Sequence, residues 1–156
     1  MTSKGSRTLV IGAGNEWRGD DGAGLAVARR LRTELPSSVC VIEHSGEGAS
    51  LMDSWRGDDS VTVVDAAKSG APPGTIHRFT FPAEPLPDGI FGCSSHSFGI
   101  AEVIQIAVAL HRMPRDMVLY GIEGLDFADG AHLSPAVELA VAEVADRIRR
   151  ELQLKP

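Results

Sequence analysis

The sequence predicts a single three-layer α/β domain built on a mostly parallel, twisted sheet of five strands. Three observations carry that expectation. Short aliphatic runs alternate with helix-spaced segments along the chain, the pattern of successive β-α-β units. The run "SVTVVDAA" is apolar on both faces, as a strand in the middle of a parallel sheet requires. The length of 156 residues suits one domain with its own core, and no repeat or low-complexity linker divides it. The domain is expected to span 1–156, with 1–6 disordered.

The elements follow in order. "TLVIGAG" is a buried strand ending in glycines. "GAGLAVARRLRTEL" has helical spacing. Leu25, Ala28, Leu31 and Leu35 share a face, Arg29, Arg30 and Arg32 lie mostly elsewhere, and Pro36 stops it. "SVCVIE" is a second strand and "ASLMDSW" a short helix. "SVTVVDAA" is the third strand. "APPGTIHRFTF" alternates after a Pro-Gly turn and reads as an edge or antiparallel strand. "SFGIAEVIQIAVALHRM" is a long helix with Ser97 as cap and Ile100, Val103, Ile104, Ala107 and Leu110 as its buried stripe. "DMVLYGIE" is the fifth strand. "SPAVELAVAEVADRIRREL" closes the chain, with Ser134 as N-cap and Pro135 at the first helical position.

Composition narrows the function classes. A formal net charge of −6 weighs against a nucleic-acid partner, which wants a basic face. Two cysteines, Cys40 and Cys93, form no CxxC pair and no disulfide framework. "MTSKGSR" lacks a signal-like apolar core, and no run is long enough to span a bilayer. A cytoplasmic location, no membrane partner and a monomer are the expectations.

Ligands of open α/β sheets collect beyond the carboxyl ends of the strands. Here those ends carry "GNEWRGDD", Glu43 and His44, Asp65, and Glu123, with His96 in the loop before the long helix. The first of these segments begins like a dinucleotide-binding turn. Gly12 and Gly14 fit the fingerprint, but Trp17 holds the third glycine position, and Asp20 and Asp21 would repel a pyrophosphate. A nucleotide-binding module is therefore the weaker alternative. Two carboxylates at a helix start favour the helix dipole, yet two adjacent ones also suit a cation.

The blocks "GAGNEWRGDDGAG", "VVDA", "SSHSFG" and "GIEG", in this order and spacing, resemble the hydrogenase maturation endopeptidases. The resemblance covers nearly the whole chain. It implies an endopeptidase that removes the C-terminal extension of a nickel–iron hydrogenase large-subunit precursor after nickel insertion. It also implies three residues that meet the metal and serve catalysis: Asp21, Asp65 and His96. The nickel would be carried by the substrate and not held stably by the enzyme. Family members carry Glu or Asp where this chain has Asp21. A departure follows the second strand, where relatives tend to read Asp-Gly-Gly-Thr and this chain reads "EHSGEG". There Glu43 stands in for the acid, and His44 adds a ring where a glycine is usual.

Read by their chemistry, two carboxylates and one imidazole suit a divalent first-row metal with open positions, without selecting nickel over zinc. A metal-dependent hydrolase of a small substrate is the remaining alternative. Asp20, Glu43, His44 and Glu123 are candidates to support the ligands or touch substrate. Solvated loop charge is the plainer expectation for Glu16 and Asp20. Cys93, three residues before His96, reads as a small, partly buried thiol in preference to a nucleophile with a His base, and His77, His111 and His132 read as structural or solvated. Trp17 and Trp55 are core candidates, with docking open to Trp17. The segment "PAEPLPDGIFGCSSH" reads as a functional loop whose Ile90 and Phe91 dock the precursor.

Overall fold

The computed structural model describes residues 6–81 and 100–153. Its strands are β1 (Thr8–Ala13), β2 (Val39–His44), β3 (Ser60–Ala67), β4 (Ile76–Phe81) and β5 (Asp116–Glu123). Its helices are α1 (Ala23–Glu34), α2 (Gly48–Met52), α3 (Ile100–Ala109) and α4 (Pro135–Gln153), with a 3-10 turn at Gly19–Gly22 leading into α1. The sheet order is β2-β1-β3-β5-β4. All neighbours are parallel except β4, which runs antiparallel to β5 at one edge. The Pro-Gly turn before β4 makes this reversal local, without a crossover helix.

Alternation along the central strands splits the core in two. Leu9, Ile11, Val61, Val63, Met117 and Leu119 face one side, under Leu51, Met52 and Trp55 and the α3 stripe of Ile100, Val103, Ile104 and Ala107. Val10, Val64, Tyr120 and Ile122 face the other, under α1 and α4. Burial of both faces explains the unbroken aliphatic runs. Among the described residues, no helix is long and apolar enough to cross a membrane.

Two expected core residues are corrected. Leu110 lies past the end of α3 and is 56% exposed, because the helix stops at Ala109 and a turn follows, with His111 at φ 55°. The tryptophans divide: Trp55 is buried and its indole N–H donates to Arg112 O at 2.7 Å, whereas Trp17 is 73% exposed.

Close packing fixes α1 over the sheet. A Cβ on Gly24 would stand 2.3 Å from Val64 O and 2.4 Å from Ala13 O. The glycine that lets a helix approach its strands is therefore Gly24, inside α1, and not a third glycine in the preceding turn.

Candidate active site

The turn after β1 is built from its own hydrogen bonds. Gly14 leaves the strand at φ 145°, where a Cβ would meet Asp21 O at 2.0 Å. Its N–H donates to His44 O at 3.0 Å. Asn15 N–H donates to Asp21 O at 3.2 Å, and Asp21 N–H to Arg18 O at 3.1 Å. Trp17 N–H donates to Asn15 Oδ1 at 3.0 Å, and Asp20 N–H to Asp126 O at 2.8 Å. A phosphate cradle presents such N–H groups to its ligand. Here five of them are already engaged, which removes the physical basis of the nucleotide-binding alternative.

Asp21 is buried in this turn, 6% exposed. Asp65 lies near enough to Asp21 for the two charges to interact. The β1–β3 pairing ends at Gly12 opposite Val64, while β3 continues to Ala67 against β5. Asp65 therefore emerges beyond the paired end of β1, beside the turn. Its residue keeps some exposure, but burial of the carboxyl, and then the charge of Asp21, hold its pKa well above the usual carboxylate range. The N–H of Ala66 donates to Asp65 Oδ1 at 2.8 Å and opposes the rise. Two acidic groups that raise one another's cost of ionisation attract a cation or share a proton.

His96 lies outside the described residues, as do Cys93, Ser97, Ile90 and Phe91. Among the described residues, no three His, Cys, Asp or Glu side chains form a metal-sized group.

The four supporting candidates differ. Asp20 is fully buried, which corrects the expectation of a solvated loop charge. Its Oδ1 accepts Ser134 N–H at 2.7 Å, and its Oδ2 accepts the N–H groups of Leu125 at 2.8 Å and Asp126 at 2.9 Å and the Ser134 hydroxyl at 2.7 Å. Burial pushes its pKa up, but these donors outweigh it and hold the carboxylate below the usual range. Ser134 thus stands at the N-cap position while its hydroxyl serves Asp20.

Glu123, 1% exposed, accepts from Ser69 N–H at 2.8 Å and the Ser69 hydroxyl at 2.5 Å, with His77 Nε2 at 3.1 Å. Burial again opposes ionisation, and Ser69 and His77 outweigh it. Glu43 accepts from Arg29 at 2.8 Å and Arg32 at 2.9 Å, and Arg29 also pairs with Glu16 at 2.9 Å. His44 Nδ1 accepts Gly46 N–H at 2.9 Å, and its Nε2 lies 3.1 Å from Ser50 Oγ.

Glu43 and His44 border an open pocket of about 330 Å³ with Gly14, Trp17, Leu25 and Arg29. It abuts the Asp21 turn. The Ser69–Glu123–His77 and Ser134–Asp20 partnerships were not foreseen. Their members are 46 to 114 residues apart in sequence, and no local spacing signals them.

Comparisons with known proteins give the chain's family and fold. A family model described as hydrogenase maturation protease matches residues 25–151. The chain is 31% identical over 148 residues to the hydrogenase expression/formation protein HupD of Bradyrhizobium diazoefficiens, covering 93% of this chain and 77% of that protein. Among solved structures, the [NiFe] hydrogenase maturation protease HybD from Thermococcus kodakarensis superposes with a TM-score of 0.73 at 27% identity, over 92% of this chain and 97% of that one. The hydrogenase maturating endopeptidase HybD from E. coli shares the fold, with a TM-score of 0.78 at 22% identity over 94% of this chain and 92% of that one.

Proposed function

The chain belongs to the hydrogenase maturation protease family, and from that premise we propose that it removes the C-terminal extension of a nickel–iron hydrogenase large-subunit precursor after nickel insertion. Asp21, Asp65 and His96 meet the nickel carried by the substrate. The observation that carries this reading is the Asp21–Asp65 pair. Burial and the neighbouring charge make Asp65 reluctant to ionise alone, so a site that is poor for a lone carboxylate becomes good when a cation arrives.

The donor set fits. Two carboxylates and an imidazole suit a first-row divalent ion and leave positions for the substrate's own ligands. Three donors with open positions also bind free metal more weakly than a closed four-donor site. The protein would then sense nickel only where the precursor presents it. The metal would make cutting conditional on a finished substrate. In this proposal the protease acts in the cytoplasm as a monomer, and Cys40 is a free thiol there.

The test is processing of purified nickel-loaded precursor by the protein and by its Asp21→Ala, Asp65→Ala and His96→Ala variants, read as loss of the extension by mass. The wild type should shorten the precursor and each folded variant should leave it intact. Precursor left intact by the wild type would refute the proposal. Metal analysis tests it independently: the purified protein should carry little tightly bound metal, and one stoichiometric zinc surviving dialysis against chelator would favour a small-substrate metal hydrolase instead.

A further inference from the structure

Asp20 and Asp21 are adjacent in sequence, but their side chains serve different parts of the fold. Among the described residues, the donors to the Asp20 carboxylate all belong to the connection between β5 and α4: Leu125, Asp126 and Ser134. The backbone joins the same two segments. Asp20 N–H donates to Asp126 O at 2.8 Å, and Gly130 N–H donates to Trp17 O at 2.7 Å. Gly19, at φ 55°, lets them touch, since a Cβ there would stand 2.2 Å from Asp126 O.

We propose that Asp20 is the positioning residue of the site, setting the separation of Asp21 from Asp65 by anchoring the Asp21 turn to the loop that leaves β5. The inference rests on the function proposed above. Its logic is one of connection. Asp65 lies on β3, which pairs with β5 with Asp65 opposite Gly121. The loop leaving β5 starts at Gly124, whose N–H donates to Ala67 O of β3 at 3.0 Å. That loop is therefore registered to Asp65 through the sheet. Asp20 transfers this register to its neighbour Asp21. The backbone hydrogen bonds of Asp21 itself, to Asn15 and Arg18, stay inside the turn and move with it. The packing of Gly24 on Val64 and the backbone bonds to the loop set the turn coarsely; without the Asp20 carboxylate, Asp21 would keep its local shape and its separation from Asp65 would loosen. Groups that hold a metal-binding carboxylate in place are worth about ten- to a hundredfold in affinity or rate when removed, and misplacement by about 1 Å can cost a hundredfold in turnover.

Two graded variants test this. Ser134→Ala deletes one hydrogen bond to Asp20 Oδ2 and leaves the N–H donors. Asp20→Asn keeps the volume but can offer only one acceptor oxygen to the four donors. Processing of the nickel-loaded precursor is measured as initial rate against precursor concentration, well below the melting temperature of each variant. The expected result is a fall in kcat of about tenfold or more for Asp20→Asn and severalfold for Ser134→Ala, with KM within about twofold of wild type, because Asp20 is fully buried and does not touch the precursor. A purely structural residue would lower the melting temperature and leave kcat intact while the protein is folded. A kcat within twofold of wild type for folded Asp20→Asn, or a change confined to KM, overturns the proposal. If Asp20→Asn does not fold, Ser134→Ala decides: kcat unchanged overturns it. Failure of the proposed function is distinguishable, because then the wild type would not process the precursor at all.

Discussion

Asp21, in the turn after β1, adds its charge to burial in holding the Asp65 carboxyl, at the end of β3, well above its ordinary pKa. The fold carries this like-charge pair at the edge where its ligands are expected. That is a cost to stability unless a proton or a cation offsets it. The consequence is measurable. A carboxyl whose folded pKa is raised contributes stability that is fully present below its unfolded value of about 3.9 and is lost as pH rises through the folded value. Asp65→Asn mimics the protonated form and keeps the bond from Ala66 N–H. It should raise stability at pH 7–8 by about 1 kcal/mol, or about 2–4 °C in melting temperature, with the gap closing toward acid. Destabilisation by Asp65→Asn at pH 8 would show that the charge is compensated in the folded protein.

A second ionic prediction has the opposite sign. Asp59 is 1% exposed and accepts from Arg7 Nη2 at 2.7 Å and from Arg56 N–H at 2.9 Å. Burial pushes its pKa up, and the bonds from Arg7 and Arg56 outweigh it and lower it. Its contribution is present above its unfolded pKa and lost as pH falls through the lower folded value. Arg7→Ala should cost about 2 kcal/mol at pH 7 in urea unfolding, discounted because Arg7 is one-third exposed. The difference from wild type should shrink as pH falls toward 3. A cost independent of pH would assign the effect to packing.

The glycine packing of α1 predicts a steep cost. Gly24→Ala places a methyl against two backbone carbonyls that cannot rotate away. Helix propensity alone would favour the change by about 1 kcal/mol. Overpacking should reverse that and destabilise by about 3 kcal/mol. Thermal unfolding decides between the signs.

The two tryptophans should separate cleanly. Trp55→Ala removes a buried ring and its bond to Arg112 O, and should cost about 3–5 kcal/mol. Trp17→Ala removes an exposed one and should stay within about 0.5 kcal/mol. Chemical denaturation of both variants checks this. A large cost for Trp17→Ala would mean that its ring packs against the protein.

Much of this architecture was legible in the sequence because it is written in local patterns. The both-face apolar run of β3, the Pro-Gly turn before β4 and the spacing of Ile100, Val103, Ile104 and Ala107 each reflect nearby burial. Asp21 and Asp65 were legible as strand-end acids and through family motifs. Asp20 was misjudged as a solvated charge because its four donors come from residues 125–134, more than a hundred positions away. A buried carboxylate satisfied by a distant loop leaves no local signature. Leu110 was misjudged because apolar periodicity runs one residue past the end of its helix.

The most direct test of the central claim compares nickel-loaded with nickel-free precursor, each incubated with wild-type protein and with Asp65→Asn, and reads the intact mass of the large subunit. If the Asp21–Asp65 pair meets the substrate's nickel, only wild type with nickel-loaded precursor should release the extension, and folded Asp65→Asn should release none. Equal cleavage of both precursors, or wild-type cleavage by Asp65→Asn, would contradict it.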